Sequence, residues 1–206
     1  MKTNYCTLYV VRHGETDWNV AKKIQGHTDI DLNTEGEKQA QLLGEELKDI
    51  DFEAVFSSDL IRAKRTAEII ALEKKLAVTT TELLRERKFG RFEGKHIDAF
   101  KEMGDVLDKL TDEERFSSKH FPDVENDEEL INHFITFTRE VCVANPGKNI
   151  LITTHGGILR SLLVHLGYAN YKDPLHVGNT AYMVLKSDGV DFFIEGVKGI
   201  EKNITT

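Results

Sequence analysis

The chain has 206 residues, of which 40% are hydrophobic and 30% charged, and its formal net charge is −8. This composition is typical of a globular protein with one sizeable core. The negative charge argues against nucleic acid or an anionic membrane as the main partner, but it does not exclude a small anionic substrate. Because no run approaches the roughly 20 apolar residues of a membrane span and no signal-peptide pattern is present, we expect a cytoplasmic protein without a membrane partner.

Cysteine and proline usage points to a simple domain organisation. The two cysteines, Cys6 and Cys142, lie among apolar residues, which predicts two buried thiols rather than a disulfide. The chain has three prolines and no linker-like or low-complexity segment. We therefore expect residues 1–206 to form a single domain.

Short apolar runs predict six β-strands. Most are continuous rather than alternating, which favours strands that are buried on both faces of a sheet. The Ser187-Asp188-Gly189 sequence predicts a hairpin turn between the last two. The predicted strands are Thr7–Val11, Ala54–Ser57, Leu76–Thr80, Ile150–Thr154, Ala181–Leu185 and Phe192–Glu195.

Helical patterns alternate with these strands. Thr34 and Glu37 match a capping box at the start of the first helix, and Asp59 is the expected N-cap of the second. Strands that alternate with helices predict an α/β fold with a mostly parallel sheet, covered on both faces and closed by an antiparallel hairpin. The apolar stripes include Ala40–Leu47, Leu60–Ile70, Phe100–Leu110, Asp127–Val143 and Ile158–Leu166.

Two of the predicted strands end in His-Gly, in the sequences LYVVRHG and ILITTHG. In open α/β sheets, ligands bind beyond the carboxyl ends of the strands. If these two strands are parallel neighbours, His13 and His155 meet at one edge of the sheet. Each histidine taken alone has a simpler explanation as a surface or core residue, so the joint placement carries the prediction.

Arginines at the same edge indicate a phosphate site. The guanidinium fork matches two phosphate oxygens, and charge-assisted hydrogen bonds of this kind are strong. Arg12 and Arg62 follow the first two strands. The glycine turn after His155 also offers backbone N–H groups to an anion.

These residues predict phosphoryl transfer. A neutral imidazole is a good nucleophile near pH 7, so His13 is the expected acceptor of the phosphoryl group, with Gly14 allowing close backbone approach. His155 is expected to stabilise charge on the transferring oxygens. Glu86 is the expected source of the proton for the leaving oxygen, although its sequence context, LLRERK, also fits an exposed ion-pair ladder.

Four motifs resemble the signatures of the histidine phosphatase superfamily, also called phosphoglycerate-mutase-like. They occur in the family's order and cover nearly the whole chain. The resemblance implies a three-layer α/β/α sandwich with a six-stranded mixed sheet. The motifs are RHGETDWN (12–19), SSDLIRAKRTA (57–67), LRERKFGRFEG (84–94) and THGGILRSLL (154–163).

Carried over by position, the resemblance implies a role for each motif residue. His13 is the residue that is phosphorylated, and Glu86 is the proton donor and acceptor. The family needs no metal or cofactor, and the eight histidines here do not form a ligand-spaced set. The phosphate pocket would comprise Arg12, Arg62 and His155, with further phosphate or substrate contacts from Gly14, Asn19, Gln25, Gly26, Arg87 and Gly156.

Departures from the family patterns favour a phosphatase that acts on a small phosphorylated metabolite. Glycolytic mutases carry an arginine pair in the insertion after the Glu86 motif, whereas Lys95–Asp127 has Arg115 alone. The acid-phosphatase branch has RHGxRxP and a His-Asp pair, and this chain has neither. A mutase remains the alternative, and a non-catalytic phosphate-binding module is the second alternative.

The insertion, at about 95–127, is predicted to cover the active site. Its acidity predicts repulsion of highly anionic substrates. Five phenylalanines in and before it are candidates to line a substrate pocket, although ordinary core packing explains them equally well: Phe89, Phe92, Phe100, Phe116 and Phe121. Apolar surface near residues 168–174 and the final hairpin suggests a possible homodimer contact.

Overall fold

A mixed β-sheet forms the centre of the computed structural model, which describes residues 4–172 and 175–202 except for the side chain of Glu73. The six strands found in these residues are β1 (Cys6–Arg12), β2 (Phe52–Ser58), β3 (Val78–Thr81), β4 (Asn149–Thr154), β5 (Leu175–Ser187) and β6 (Phe192–Lys202). Their order across the sheet is β3-β2-β4-β1-β5-β6.

Helices connect the strands and cover both faces. Four are longer than eight residues, and two short ones lie in the segment between β3 and the long helix that precedes β4. The α-helices of the described residues are α1 (Asp17–Val20), α2 (Thr34–Glu46), α3 (Ile61–Lys74), α4 (Phe100–Leu107), α5 (Asp112–Ser117), α6 (Asp127–Ala144) and α7 (Gly156–His165).

The pairing of β1 with β4 positions the site. These strands run parallel, with Arg12 opposite Thr154 at their carboxyl ends. β4 also pairs in parallel with β2, and β2 with β3. β5 runs antiparallel to both β1 and β6. Consequently the residues that follow β1, β2 and β4 emerge at one edge of the sheet.

Two hydrophobic layers hold the helices on the sheet. On one face, α2 and α3 bury residues such as Leu43 and Ile70 against β2 and β4. On the other face, α6 and α7 bury residues such as Phe134 and Leu162 against β1, β4 and β5. Full burial of one such side chain contributes about 1.5–3 kcal/mol. The architecture is a three-layer α/β/α sandwich, which confirms the predicted fold class.

The structure corrects several local details. The cap of α2 is Asn33, whose side chain accepts a hydrogen bond from the Gly36 N–H, so the predicted capping box at Thr34 is wrong by one residue. The residue at the N-cap of α3 is Leu60, and Asp59 instead pairs with Arg85. The side chain of Asp29, from a loop distant in sequence, accepts the Ile61 N–H at 2.7 Å.

Other predictions of local structure hold. Both cysteines are free and buried. The Ser187–Gly189 turn connects β5 and β6, which both extend beyond their predicted bounds, and Gly189 has a φ of +94°. In the 168–174 segment, Asp173 and Pro174 lie outside the described residues. No helix in the described part of the chain is long and apolar enough to cross a membrane.

Candidate active site

The two histidines of the His-Gly motifs meet beyond the carboxyl ends of β1 and β4. The His13 N–H continues the parallel pairing by donating to the Thr154 carbonyl at 2.9 Å. The imidazole ring centroids of His13 and His155 lie 5.3 Å apart. Their exposed fractions are only 3% and 0%. The predicted convergence of the two imidazoles is therefore present.

A backbone hydrogen bond fixes the orientation of His13. Its Nδ1 lies 2.7 Å from the Gly14 carbonyl oxygen. Because a carbonyl only accepts, Nδ1 carries the proton in this contact, and in the neutral ring the lone pair is on Nε2. Gly14 is itself held, since its N–H donates to Thr66 Oγ1 at 3.0 Å. The ring therefore presents Nε2 in the form that can attack phosphorus.

Glycine is required at position 14 for steric reasons. A Cβ atom at this position would lie 2.4 Å from the Gly36 carbonyl oxygen and 3.1 Å from Gly36 Cα. Both are backbone atoms at the start of α2, so neither can move aside as a flexible side chain would. The start of α2 thus packs directly against the turn that follows His13.

The surroundings keep both histidines neutral. Burial lowers the pKa of His13 well below its usual value of 6.5, and the charges of Arg62 and Arg12 lower it further. Burial likewise lowers the pKa of His155 well below that value, with the positive charge of Arg62 adding to the effect. A neutral imidazole is nucleophilic, so this environment suits His13 to attack.

Backbone carbonyls position the two arginines. Arg62 is fully buried at the start of α3 and donates to the carbonyls of Gly26 at 2.7 Å and Thr28 at 2.9 Å. Arg12 donates to the Val177 carbonyl at 2.5 Å. Burial lowers the pKa of both guanidinium groups to about 10, so both are cationic at neutral pH.

The buried polar atoms that lack a hydrogen-bond partner within the described residues all belong to the predicted site. Such atoms are costly unless a ligand or water satisfies them. Nitrogen atoms of arginine and histidine are donors that suit the oxygens of a tetrahedral oxyanion. The Gln25 amide contributes a donor if its orientation is reversed. The atoms are Arg12 Nε, Arg62 Nε, His155 Nδ1, His155 Nε2 and Gln25 Oε1.

Glu86 lies beside this group and is fixed by backbone donors. Its carboxylate accepts the Arg87 N–H at 2.7 Å and the Gly157 N–H at 3.0 Å. The negative charge of Glu86 partly offsets the lowering of the Arg12 and Arg62 pKa values by burial. The alternative of an exposed ion-pair ladder does not describe Glu86, because the ion pairs of the LLRERK segment are made by Arg85, with Asp59 and Glu82, and by Arg87, with Asp127.

Other predicted contact residues have structural roles in the described geometry. Arg87 pairs with Asp127 and also donates to the Glu125 carbonyl and Ser161 Oγ. The Asn19 side-chain oxygen accepts from the N–H of Thr16, which caps α1. Their predicted contacts with phosphate or substrate remain predictions.

The two predicted glycines outside the His13 turn lie against the arginines. Gly26, with a φ of +53°, supplies one of the carbonyls that hold Arg62. Gly156 begins α7, and a Cβ there would lie 3.2 Å from Arg12 Nε. Close approach of the guanidinium to the α7 backbone therefore favours glycine.

Sequence reasoning missed several residues that support the site. Thr66, four residues after Arg62, holds both the Gly14 N–H and, through its own O–H, the Arg62 carbonyl at 2.8 Å. The i, i+4 spacing from Arg62 was an available signal. Asn179 Nδ2 donates to the His13 carbonyl at 3.2 Å from an irregularity in the β5–β6 pairing, and no sequence pattern indicated it.

Two cavities flank the Glu86–Arg87 segment. The larger, of about 320 Å³, lies between α7 and the 95–127 insertion and includes Gly157 and Arg87 in its lining. The smaller, of about 220 Å³, is lined by polar groups that include Glu86, His27 and His133. Of the five candidate phenylalanines, Phe89, Phe100 and Phe121 line the larger cavity.

The remaining two phenylalanines pack elsewhere. Phe92 is fully buried in a small core with Ile24 and Val124. Phe116 stacks on the ring of His165 at a centroid distance of 5.5 Å. Within residues 4–172 and 175–202, no cluster of three or more His, Cys, Asp or Glu side chains has a metal-binding arrangement.

Comparison with known proteins agrees with this geometry. The family model of the histidine phosphatase superfamily (branch 1) matches residues 8–198. Uncharacterized phosphatase PhoE of Bacillus subtilis (strain 168) is 38% identical over 157 residues, which cover 76% of this chain and 75% of that protein. Broad-specificity phosphatase YOR283W of Saccharomyces cerevisiae is 32% identical, covering 94% of this chain and 86% of that protein.

A solved structure extends the similarity to the whole fold. The crystal structure of phosphoglycerate mutase from Bacillus anthracis str. Sterne superposes with a TM-score of 0.80 at 27% identity, covering 96% of this chain and 94% of that one. The chain is therefore similar both to proteins that are named phosphatases and to a protein that is named a phosphoglycerate mutase.

Proposed function

Because the chain belongs to the histidine phosphatase superfamily (branch 1), we propose that it is a metal-independent phosphatase that hydrolyses a small phosphomonoester through a phosphohistidine on His13. One observation carries this proposal. The His13 ring, held by Gly14 with its lone pair on Nε2, lies among buried arginine and histidine nitrogens that have no partner among the described residues.

In the first half of the reaction, His13 Nε2 attacks the phosphorus atom. The bond between phosphorus and the leaving oxygen breaks, and Glu86 donates a proton to that oxygen. Arg12, Arg62 and neutral His155 donate hydrogen bonds to the three remaining phosphoryl oxygens. Fixed donors of this kind stabilise the developing charge, and removal of one typically costs about 10²–10³ in rate.

In the second half, water replaces the alcohol product. The Glu86 carboxylate takes a proton from the water, whose oxygen attacks the phosphorus of the phosphohistidine. The phosphorus–Nε2 bond breaks, inorganic phosphate leaves, and His13 returns to its neutral form. Glu86 thus ends the cycle protonated and ready to serve again as the acid.

The test is hydrolysis of para-nitrophenyl phosphate by wild type and His13→Asn in the presence of a chelator. We expect wild-type activity to survive chelation and the variant to lose about 10³-fold or more in kcat/KM. Quenching the wild-type enzyme with labelled substrate in alkaline denaturant should trap label on His13, because the phosphorus–nitrogen bond of phosphohistidine survives base and is hydrolysed in acid. His176→Asn, at an exposed position of β5 that lines neither cavity, is the matched control.

Two results would contradict the proposal. Near-normal turnover by His13→Asn would exclude His13 as the nucleophile. Loss of wild-type activity on chelation, with recovery on addition of a divalent metal, would exclude a metal-independent reaction even if His13 were essential.

A mutase is the second candidate, and the similarity to a phosphoglycerate mutase structure favours it. The same phosphohistidine would then return its phosphoryl group to the sugar acid rather than to water. The insertion carries Arg115 alone rather than an arginine pair, which favours release and hydrolysis. A coupled assay of 3- to 2-phosphoglycerate conversion separates the two, since a phosphatase yields inorganic phosphate instead.

A further inference from the structure

The larger cavity adjoins the proposed proton donor. Gly157 lines it and donates its N–H to Glu86 at 3.0 Å. Its apolar wall comes from the insertion and the segment before it, through Phe89, Phe100 and Met103. A group bonded to the leaving oxygen therefore has an apolar surface within reach.

The lining of the cavity also carries positive charge. Four Lys or Arg side chains line the cavity, whereas only Glu125 and Asp127 do so among the ten acidic residues of segment 95–127. The acidity of the insertion is thus directed mainly away from the cavity. The basic side chains are Arg87, Arg115, Lys119 and Arg160.

Arg160 differs from the other three cations. Arg87 pairs with Asp127, Arg115 with Asp108 at 3.3 Å, and Lys119 with Glu129 at 2.7 Å. Within residues 4–172 and 175–202, Arg160 makes no ion pair and donates one hydrogen bond, to the Leu175 carbonyl at 3.3 Å. It is also exposed to solvent, so its charge is accessible inside the cavity.

The position of Arg160 couples it to the reaction site. It follows Gly157 by three residues on α7, so both lie on the same face of the helix. The protein atoms that surround the cavity lower the pKa of Arg160 by desolvation, even though part of its side chain is open to solvent, while the charge of Glu86 opposes this lowering and that of Arg87 adds to it. The guanidinium therefore lies in the electrostatic field of the Glu86–Arg87 segment.

We propose that Arg160 is a specificity-determining residue that binds an oxyanion, either a carboxylate or a second phosphate, carried by the leaving group of the phosphomonoester. The carbon skeleton of this group lies against Phe89, Phe100 and Met103. The inference rests on the proposed function, because it assigns the second anion a place relative to the phosphoryl group bound at His13.

The first experiment compares phenyl phosphate, 4-carboxyphenyl phosphate and 1,4-phenylene bisphosphate as substrates. We expect wild type to prefer at least one of the two compounds that carry a second anionic group over phenyl phosphate by about 10-fold or more in kcat/KM, as a charge-assisted hydrogen bond predicts. The carboxylate and bisphosphate arms identify which oxyanion fits. The effect should appear mainly in KM.

The variants Arg160→Met and Arg160→Lys test the residue. Arg160→Met should abolish the preference while changing phenyl phosphate turnover by less than about threefold, and Arg160→Lys should retain part of it, because lysine keeps the charge without the planar fork. Arg139→Met, an exposed arginine of α6, is the control and should behave as wild type. An equal loss for all three substrates in both variants would overturn the assignment.

A binding measurement keeps this inference separate from the proposed function. Benzylphosphonate and 4-carboxybenzylphosphonate cannot be hydrolysed, and calorimetry gives their Kd values for wild type and Arg160→Met. We expect wild type alone to bind the carboxylated compound more tightly, by about 10-fold. Equal affinity in wild type for this pair, together with no preference for the bisphosphate, overturns the inference even if phosphatase activity is present. Tighter binding supports it even if turnover is absent.

Discussion

The proposed phosphate pocket and the cavity beside it differ in how deeply their side chains are buried and in what holds them. In the pocket, His13, His155 and Arg62 are at most 3% exposed, and backbone carbonyls hold the rings and guanidinium groups. The cavity is lined largely by helices and loops of the insertion, and its Arg160 is exposed. A rigid, buried pocket suits an invariant phosphoryl group, whereas an open cavity suits a leaving group that differs between substrates.

Replacement of a buried donor of the pocket tests this difference most directly. Arg62→Lys keeps the charge but loses the fork that reaches Gly26, Thr28 and the pocket together. We expect kcat/KM for para-nitrophenyl phosphate to fall by about 10²–10³-fold. Arg65→Lys, one turn along α3 and paired with Glu37 at the surface, is the matched control and should retain wild-type activity. Equal activities of the two variants would refute a preorganised pocket.

A second test uses the pH dependence of folding. In the folded protein, burial holds the pKa values of His13 and His155 well below 6.5. As the pH falls below 6.5, the unfolded chain therefore takes up protons on these two histidines before the folded protein does. The histidines therefore favour the folded state above about pH 6.5 relative to acid, and stability is lost on acidification, approaching about 1.4 kcal/mol per pH unit for each group. Urea unfolding between pH 7.5 and 5 measures the slope.

The double variant His13→Asn/His155→Asn separates the contribution of these two histidines from that of other titrating groups. Its free energy of unfolding should fall less steeply with acid than that of wild type, because asparagine does not take up a proton in this range. A variant slope equal to that of wild type would show that other groups cause the acid sensitivity.

Two glycine substitutions, one in the pocket and one in the insertion, are expected to change the free energy of unfolding by small amounts of opposite sign. Gly14→Ala places a Cβ 2.4 Å from the Gly36 carbonyl oxygen, and we expect destabilisation of about 1–3 kcal/mol. Gly104→Ala, in α4 of the insertion, meets no atom within 4 Å, and the gain in helix propensity should stabilise by up to about 1 kcal/mol. Urea midpoints measure both, and destabilisation of similar size at the two sites would contradict the contrast.

Sequence patterns predicted the pocket more completely than the cavity. A strand that ends in His-Gly and pairs in parallel with another of the same kind leaves little freedom in where the two imidazoles lie, and both were found there. The capping signals at Thr34 and Asp59 failed, because Asn33 and the distant Asp29 made those contacts instead. Local patterns predict that a helix starts, but several nearby oxygens can compete to cap it.

The layered α/β fold and the residues at the strand ends could be predicted from the amino-acid sequence, because burial periodicity and strand termini are local properties of the chain. Which arginine and lysine side chains form ion pairs depends instead on the folded structure. Arg87 is paired by Asp127, forty residues away, whereas Arg160 remains exposed in the cavity. Such pairings depend on how α6, α7 and the insertion pack around one another, and no short-range pattern encodes that arrangement.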